Sequence, residues 1–307
     1  MMKLYAAPLQ GLTEAPWRNA HQELFGGIDA YYTPFVRIER GEFRNKDIRD
    51  IARENNAVAR LMPQLIASTP DELARLVELF MEKGYREADI NMGCPFPLIA
   101  GKHKGSGILP YPQEVKALLD ELAHFPEMQF SVKMRLGWES ADEWRVLLPL
   151  LNAAPLQRIT LHPRIGKQQY KGEVDRASFA AFYQECGHPL VYNGDVCAAA
   201  DIRELEEAFP SLEGVMLGRG LLANPALAME YREGTPLAKE MLYNKVRTLH
   251  ARLFEYYEAH LQGEAQLLSK MKPYWEYLLP DMDRKIKKAI KKAMRVDKYW
   301  AAVNLLC

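Results

Sequence analysis

The sequence predicts a parallel α/β fold followed by an all-helical segment. Short β-rich runs alternate with amphipathic stretches of helical length, and eight such units fit into about 230 residues. After Gly234-Thr235-Pro236 the pattern becomes wholly helical. Eight strand–helix units are typical of a (β/α)8 TIM barrel. The alternative is an open doubly wound sheet, which the absence of a GxGxxG turn after the first strand disfavours.

Composition indicates a globular chain with two unlike parts. The 307 residues are 48% hydrophobic and 26% charged, which supports a core without disulfide or metal staples and excludes disorder and fibrous repeats. Residues 236–307 hold 14 Lys and Arg against 8 Asp and Glu, or +6, and the neutral total therefore leaves −6 for residues 1–235. We predict a barrel domain over residues 1–235 and a helical domain over residues 236–307.

Each barrel unit has recognisable strand and helix signals. The strand candidates are residues 4–7, 30–36, 58–64, 87–92, 129–134, 158–162, 190–193 and 214–218. Thr69 and Pro70 are typical of a helix start, and Gly84 of a helix end. The apolar residues at helical spacing between them are Leu73, Leu76, Val77 and Phe80. Further helices are predicted to begin at Pro112, Ser140 and Ala198.

Cysteine usage and hydropathy indicate a cytoplasmic protein. The cysteines are scattered, with no CxxC pair and no secretory signal: Cys94, Cys186, Cys197 and Cys307. No run approaches the ~18 apolar residues that a membrane span needs. The sequence contains no signal from which a protein partner could be inferred, which leaves a monomer as the expectation, and it indicates no membrane association.

Polar and glycine-rich segments follow the predicted strands, where a barrel places its active site. They are Pro8-Leu9-Gln10-Gly11, Gln64, Asn91-Met92-Gly93-Cys94-Pro95, Lys133 with Arg135, His162-Pro163-Arg164, Asn193-Gly194-Asp195 and Gly218-Arg219-Gly220. The last two segments follow strands seven and eight, where barrels commonly bind phosphate, and Arg219 adds a bidentate cation. Tight turns beside a surface arginine are the alternative. His162 and Arg164 are further anion-binding candidates.

Lys133 and Cys94 are the two reactive candidates. Lys133 is expected to end its strand and to point into the barrel mouth, where it binds an anionic group or forms a Schiff base, unless it is a solvated lysine. Cys94 is expected on a loop near cations that tune its acidity, whereas most isolated cysteines are buried hydrophobes. The basic, glycine-bearing loop over residues 96–110 is predicted to be a flexible lid, with an ordinary surface loop as the alternative.

Together these motifs resemble the tRNA-dihydrouridine synthases, flavin enzymes that reduce uridines in tRNA. The most specific match is Asn91-Met92-Gly93-Cys94-Pro95, followed by Gly105, Leu109 and Pro112 at the family's spacing. The other matching segments begin at Ala7, His162, Asn193 and Leu217. The resemblance implies FMN, reduced by NADPH. It places Pro8 and Leu9 on the isoalloxazine and Gln64 and Lys133 at its polar edge. The residues implied at the ribityl phosphate end are His162, Asn193, Gly194, Asp195, Gly218 and Arg219.

The resemblance also implies a mechanism. A uridine extruded from tRNA stacks on the reduced ring, hydride passes to C6 of uracil, and Cys94 protonates C5 as general acid. Asn91 orients the uracil edge. At Arg37, Lys270 and Lys272 the sequence resembles the bacterial C-type subgroup of the family, which acts on uridine 16 of the D-loop. Arg164 is a further substrate-binding candidate.

The helical segment contains a strongly basic run from Arg284 to Arg295. Its apolar residues fall on one predicted face: Ile286, Ala289, Ile290, Ala293 and Met294. Seven cations occupy the remainder, among them Lys287, Lys288 and Lys291, which we predict to bind tRNA phosphates rather than only to form a solvated helix face.

The alternative functions for the whole protein are a flavin oxidoreductase for a free small molecule such as a pyrimidine, a Schiff-base lyase and a non-catalytic RNA-binding scaffold.

Overall fold

The computed structural model describes residues 2–306, so that Cys307, the last residue of the predicted helical domain, lies outside them. The strands are β1 Lys3–Ala6, β2 Ala30–Tyr32, β3 Ile38–Glu39, β4 Glu42–Phe43, β5 Leu61–Met62, β6 Gln64–Leu65, β7 Glu87–Met92, β8 Gln129–Gly137, β9 Leu156–Ile165, β10 Leu190–Tyr192 and β11 Gly214–Leu217. All eight predicted strand regions contain a strand. β3 and β4 form a separate hairpin that the sequence did not indicate.

The main sheet closes into a parallel barrel, as predicted. Its strands follow the order β5-β2-β1-β11-β10-β9-β8-β7-β6, and β5 and β6 are two halves of one barrel position separated by Pro63. A proline has no N–H to donate to a ladder. The Pro63 carbonyl still accepts a hydrogen bond from the Asp89 N–H at 2.9 Å, which joins this position to β7 and completes the ring. The structure therefore confirms the (β/α)8 class.

Fourteen α-helices occur in residues 2–306. They are α1 Ala15–Leu24, α2 Asn45–Ile51, α3 Pro70–Glu82, α4 Pro97–Ala100, α5 Pro112–Glu121, α6 Trp144–Ala153, α7 Arg176–Glu185, α8 Ala199–Ala208, α9 Arg219–Ala223, α10 Leu227–Glu233, α11 Lys239–His260, α12 Gly263–Met271, α13 Arg284–Lys292 and α14 Val296–Val303. Short 3-10 helices span Arg53–Asn55, Gly105–Ile108, Leu122–His124, Gly166–Gln168 and Lys272–Glu276. None of these helices is long and apolar enough to cross a membrane.

Most predicted helix starts agree with the structure. The Thr69 side chain caps α3, α5 begins at Pro112, and Ala198 directly precedes α8. The start predicted at Ser140 is wrong, because the Glu143 carboxylate accepts hydrogen bonds from the N–H groups of residues 138–140 and forms a turn there. Helix α6 consequently begins at Trp144.

The last part of the chain packs on α1 and on the loop that precedes it. Lys245 Nζ donates to the Leu24 carbonyl at 2.5 Å, and the Tyr274 hydroxyl donates to the Leu12 carbonyl at 2.8 Å. The predicted apolar face of the basic run is only partly correct, because α13 ends at Lys292 and leaves Met294 81% exposed. Ala289 is exposed as well, so Ile286, Ile290 and Ala293 supply the packing face.

Candidate active site

A large cavity opens at the C-terminal ends of the barrel strands. Its volume is about 1600 Å³. The sequence-predicted site residues that line it are Pro8, Leu9, Arg37, Asn91, Cys94, Lys133, His162, Arg164, Asn193, Gly194, Asp195, Gly218 and Arg219. The structure thus brings together residues from the ends of seven strand positions, together with residues of the C-terminal helical segment.

Six predicted residues lie outside this cavity. Gln64 is fully buried behind Asn91, and Lys270 donates to Glu14 and to the Gly11 carbonyl at 2.6 and 2.8 Å. Lys272 is half-buried and is not part of the lining. The remaining three predicted residues are lysines of α13 that line a separate groove of about 390 Å³: Lys287, Lys288 and Lys291.

The Cys94 turn is held from two sides. Asn91 Oδ1 accepts hydrogen bonds from the Gly93 and Cys94 N–H groups at 3.1 and 2.9 Å. From the other side, the Ser106 N–H and hydroxyl both donate to the Cys94 carbonyl at 3.0 Å. Gly105 has φ +59°, and a Cβ there would lie 2.6 Å from the Cys94 oxygen, so no other residue fits this position.

This packing corrects the prediction of a flexible lid. The four residues of Gly105–Ile108 form a buried 3-10 helix, and Lys104 is paired with Glu72. Only the beginning of the loop, including exposed Phe96, lines the cavity. The Gly105–Ile108 part of the loop is therefore a support for Cys94 rather than a cover.

Burial determines the protonation of Cys94. It raises the pKa of the thiol above its ordinary value of 9.0, although the backbone at Phe96 and the cations Arg135, Lys133 and Arg37 oppose the shift. The cations were expected to control the acidity of this thiol, but burial outweighs them. At neutral pH Cys94 is therefore a protonated thiol that can give up a proton.

Lys133 lies within β8 rather than at its end, because the strand continues to Gly137. Burial, followed by the neighbouring Arg135, lowers the pKa of its ammonium to about 8. Arg135 is itself buried and donates to the carbonyls of Gly93 and Ile165, each at 3.0 Å. The floor of the cavity is thus cationic, and Arg135 is held in place by backbone oxygens.

Two arginines form an anion-binding end of the cavity. Arg219 lies 2.5 Å from one oxygen of Asp195, and Arg164 is paired with the same carboxylate. Arg164 is 1% exposed, and its Nε has no hydrogen-bond partner within residues 2–306. At Gly220 a Cβ would lie 2.0 Å from the Val196 carbonyl, so the loops after β10 and β11 touch only because this residue is glycine.

His162 contributes a neutral ring to this end. Burial and the cations Arg135 and Lys133 lower its pKa well below 6.5. Its Nε2 lies 3.1 Å from Arg164 Nη1, and because an arginine only donates, Nε2 accepts and Nδ1 carries the proton. His162 therefore offers a hydrogen-bond donor and no charge.

The cavity also contains residues for which the sequence predicted no individual role. Arg135, predicted only as a polar residue near a strand end, lies two residues beyond Lys133 on the same strand face. The Tyr170 ring lies 4.6 Å below the Arg219 guanidinium. The C-terminal segment supplies Glu276, Tyr277 and Asp281 to the lining, for which the sequence contains no local signal.

The closed barrel and its strand-end cavity define a TIM-barrel protein with a candidate active site. Solved structures of similar fold include morphinone reductase, with a TM-score of 0.54 and 13% identity over 78% of this chain and 88% of that chain. Another is histamine dehydrogenase from Rhizobium sp. 4-9, with a TM-score of 0.54 and 10% identity over 80% of this chain and 49% of that chain. At these identities the likeness shows the fold alone.

The family is shown by sequence. A family model described as dihydrouridine synthase (Dus) matches residues 5–301, and the chain belongs to this family. Relatives named tRNA-dihydrouridine synthase B occur in Escherichia coli (strain K12), 28% identical over 262 residues, and in Klebsiella pneumoniae, 26% identical over 260 residues. Each alignment covers 81% of this chain and 80% of the relative. The protein is an oxidoreductase, and membership of this family implies a flavin cofactor.

Proposed function

We propose that this protein reduces a D-loop uridine of tRNA, U16, to 5,6-dihydrouridine, with FMN as cofactor, NADPH as reductant and Cys94 as general acid. The observation that carries the proposal is the placement of a protonated Cys94 thiol in one cavity with Lys133 and the Arg164–Arg219 pair. The choice of U16 is supported by the resemblance to the C-type subgroup; the two relatives compared above carry the name synthase B.

The residues of the cavity fit FMN. A phosphate at this end of the cavity would be bound by the unpartnered Nε of Arg164 and by the guanidinium of Arg219. It would lie beside the two loops that Gly220 allows to touch. Asp195 is an acceptor and binds both arginines, so its role is to orient them rather than to contact a phosphate. Pro8 and Leu9 supply apolar lining, and Asn193, Gly194 and Gly218 lie beside the arginines in the lining. When bound, FMN supplies the hydride for C6 of uracil after it has been reduced by NADPH.

The protein's own groups complete the reduction. Because burial keeps the proton on Cys94 at neutral pH, the thiol can protonate C5 of uracil. Lys133, with a pKa of about 8, is largely an ammonium at pH 7 and stabilises negative charge that develops on a bound ring. Asn91 lines the cavity with its side-chain oxygen already bound to the Cys94 turn, so it orients the base with its amide N–H.

Residues 236–307 are proposed as the tRNA-binding domain and residues 1–235 as the FMN-binding barrel. Lys287 Nζ donates to the Glu276 carbonyl at 3.1 Å, and Glu276 lines the cavity. The α13 groove, lined by Arg284, Lys287, Lys288, Lys291 and Lys292, presents five cations to a phosphate backbone. Because a base must leave its stack to reach the barrel floor, a phosphate-binding surface beside the rim serves extrusion.

The test uses tRNA from a strain that lacks dihydrouridine. Purified protein, NADPH and this tRNA are expected to yield dihydrouridine at position 16, and the flavin released from the protein is expected to be FMN. NADH in place of NADPH tests the reductant. Free uracil is the control substrate, because a protein that reduces uracil and leaves tRNA unchanged is an oxidoreductase for small pyrimidines instead.

A further inference from the structure

Asp89 is a fully buried carboxylate directly beneath the cavity, and the mechanism above does not use it. It is 0% exposed and is absent from the cavity lining. The Ser131 hydroxyl donates to Asp89 Oδ1 at 2.6 Å, and Gln64 Nε2 donates to Asp89 Oδ2 at 2.7 Å. Burial raises the pKa of Asp89 to about 6, while these two hydrogen bonds and the charges of Lys133 and Arg158 oppose the shift. Asp89 is therefore mostly ionised at pH 7.

A continuous chain of hydrogen bonds runs from this carboxylate to the Cys94 turn. Gln64 donates to Asp89 with Nε2 and accepts with Oε1 from Asn91 Nδ2 at 2.8 Å. Asn91 in turn accepts with Oδ1 from the Gly93 and Cys94 N–H groups. We call the three side chains of Asp89, Gln64 and Asn91 the amide relay.

The direction of the amide relay follows from the charge at its inner end. An ionised carboxylate only accepts, so the group of Gln64 that faces Asp89 must be its NH2. Its carbonyl then faces Asn91, which must present NH2 inward and its own oxygen to the Cys94 turn. If the inner residue were a donor, both amides would need to flip, and Asn91 would point an NH2 group at two backbone N–H groups.

We propose that Asp89 is a positioning residue that sets the amide orientation of Asn91 through Gln64 and thereby holds the Cys94 turn in its catalytic geometry. The effect of Asp89 on catalysis rests on the proposed function, because in that function Cys94 is the general acid. The relay also fixes which group Asn91 offers a ligand. With Oδ1 accepting two bonds and Nδ2 donating one, the second amide N–H is the group left for an acceptor such as a uracil carbonyl.

Loss and restoration of the fixed orientation of the relay test this proposal. Asp89→Asn is isosteric but carries an NH2 group as well as an oxygen, so it no longer imposes a single orientation on Gln64. Adding Gln64→Glu moves the carboxylate one step along the relay. The new carboxylate at position 64 accepts from the new amide at position 89 and from Asn91 Nδ2, and every direction is satisfied again. Ser131→Ala is the matched control, because it removes a hydrogen bond to Asp89 but leaves the polarity of the relay unchanged.

Two readouts are measured on the purified holoprotein. Iodoacetamide labelling of Cys94, followed by peptide mass spectrometry without RNA, reports the turn itself. We expect Asp89→Asn to label at least threefold faster and to lose at least tenfold in kcat for dihydrouridine formation, with KM for tRNA within twofold. Ser131→Ala is expected to stay within twofold of the parent in labelling, and the double variant is expected to recover both properties.

The outcomes separate the relay from a merely structural role. A parent-like labelling rate in Asp89→Asn overturns the proposal. The proposal is also overturned if the double variant improves on Asp89→Asn in neither labelling nor kcat. If Asp89→Asn does not fold, the proposal is overturned when the double variant is not recovered as soluble protein either. If the parent protein forms no dihydrouridine, the proposed function fails, whereas the labelling comparison still decides whether the relay exists.

Discussion

Lys291 Nζ lies 2.6 Å from a carboxylate oxygen of Glu276, and this ion pair joins the basic helix α13 to the rim of the barrel cavity. An exposed pair of this kind contributes little to folding stability. Its significance is spatial, because it places a groove lined by five cations beside the opening through which a base would reach Cys94. The first prediction follows from this arrangement.

Replacing Lys287, Lys288, Lys291 and Lys292 with Gln should weaken tRNA binding. Gln preserves helix propensity, so the fold should survive while the charge is lost. Each lost phosphate contact should reduce the log–log salt slope of the binding constant by roughly 0.7 to 0.9. The measurement is tRNA affinity across a salt series, with NADPH oxidation by the bound flavin unchanged.

The control for this experiment is the same change at two exposed barrel lysines outside the cavity, Lys83 and Lys116. Their substitution should leave the slope unaltered. Parent affinity and slope in the four-Gln variant would mean that α13 is only a solvated helix face. The free-substrate oxidoreductase would then be the better account of the barrel.

Cys94→Ala should uncouple the two halves of the reaction. The variant should bind flavin and be reduced by NADPH at the parent rate, because no proton from Cys94 enters that step. Dihydrouridine formation should fall by about 10²- to 10⁴-fold, the usual contribution of a positioned proton donor. Stopped-flow reduction and reoxidation by tRNA measure the steps separately. Near-parent reoxidation of this variant at pH 7 would remove Cys94 from the mechanism.

The contribution of Cys94 to dihydrouridine formation should be lost at alkaline pH. Because burial raises the pKa of Cys94 above 9.0, the thiol stays protonated through neutral pH and loses its proton above that value. Lys133, with a pKa of about 8, should produce an earlier limb as its ammonium is lost, so we expect two alkaline limbs in the single-turnover rate, the second above pH 9. The Cys94→Ala variant is the control, since its residual rate should keep the Lys133 limb and lack the one above pH 9. A Cys94-dependent limb below pH 8, identified as the difference between parent and variant, would show that the cations, rather than burial, determine the acidity.

Arg219→Ala should release much of the flavin. A charge-assisted contact to a phosphate is worth on the order of 1.5–3 kcal/mol, which corresponds to roughly a 10- to 100-fold weaker Kd. The change also removes one partner of Asp195, which retains Arg164. Flavin titration of the apoprotein measures the loss. Arg176→Ala, at an exposed arginine paired with Glu204, is the control and should bind flavin as the parent does.

Acid should unfold the protein partly through Glu14. Burial opposes ionisation of this carboxyl, but Lys270 and Lys46 outweigh it and hold its pKa at about 2, below the ordinary 4.5. The stabilisation is therefore complete above pH 4.5 and is lost as pH falls toward 2. The shift corresponds to about 3 kcal/mol. Glu14→Gln should be less stable at pH 7 and should show a flatter acid limb in urea unfolding, whereas Glu82→Gln, at an exposed carboxylate, should match the parent.

Much of the fold could be predicted, because its signals are local. Strand and helix alternation, the Thr69 cap and the proline at the start of α5 depend on neighbouring residues only. The errors occurred where a distant or later residue intervened. The Glu143 carboxylate binds backbone N–H groups where α6 was predicted to begin. The loop predicted to be a lid supports the Cys94 turn instead, because Gly105 packs against Cys94 in the interior.

The site was predictable by residue type and position but not by interaction. Sequence reasoning found the residues at strand ends because a parallel barrel brings those ends to one face. It did not find the amide relay, in which Asp89 stands two residues before Asn91 on the same strand. Strand periodicity puts both on one face, yet only the structure shows that Gln64 lies between them.

By itself, the sequence determined the order of elements, the barrel class and the identity of the strand-end residues, because periodicity and turn chemistry are properties of short segments. Tertiary structure alone decided which groups are charged and which are free. Burial keeps the proton on Cys94 and leaves His162 neutral. Lys270, predicted to bind tRNA, is instead bound to Glu14, 256 residues away in the chain. Desolvation and ion pairing depend on neighbours in space, and no local pattern encodes them.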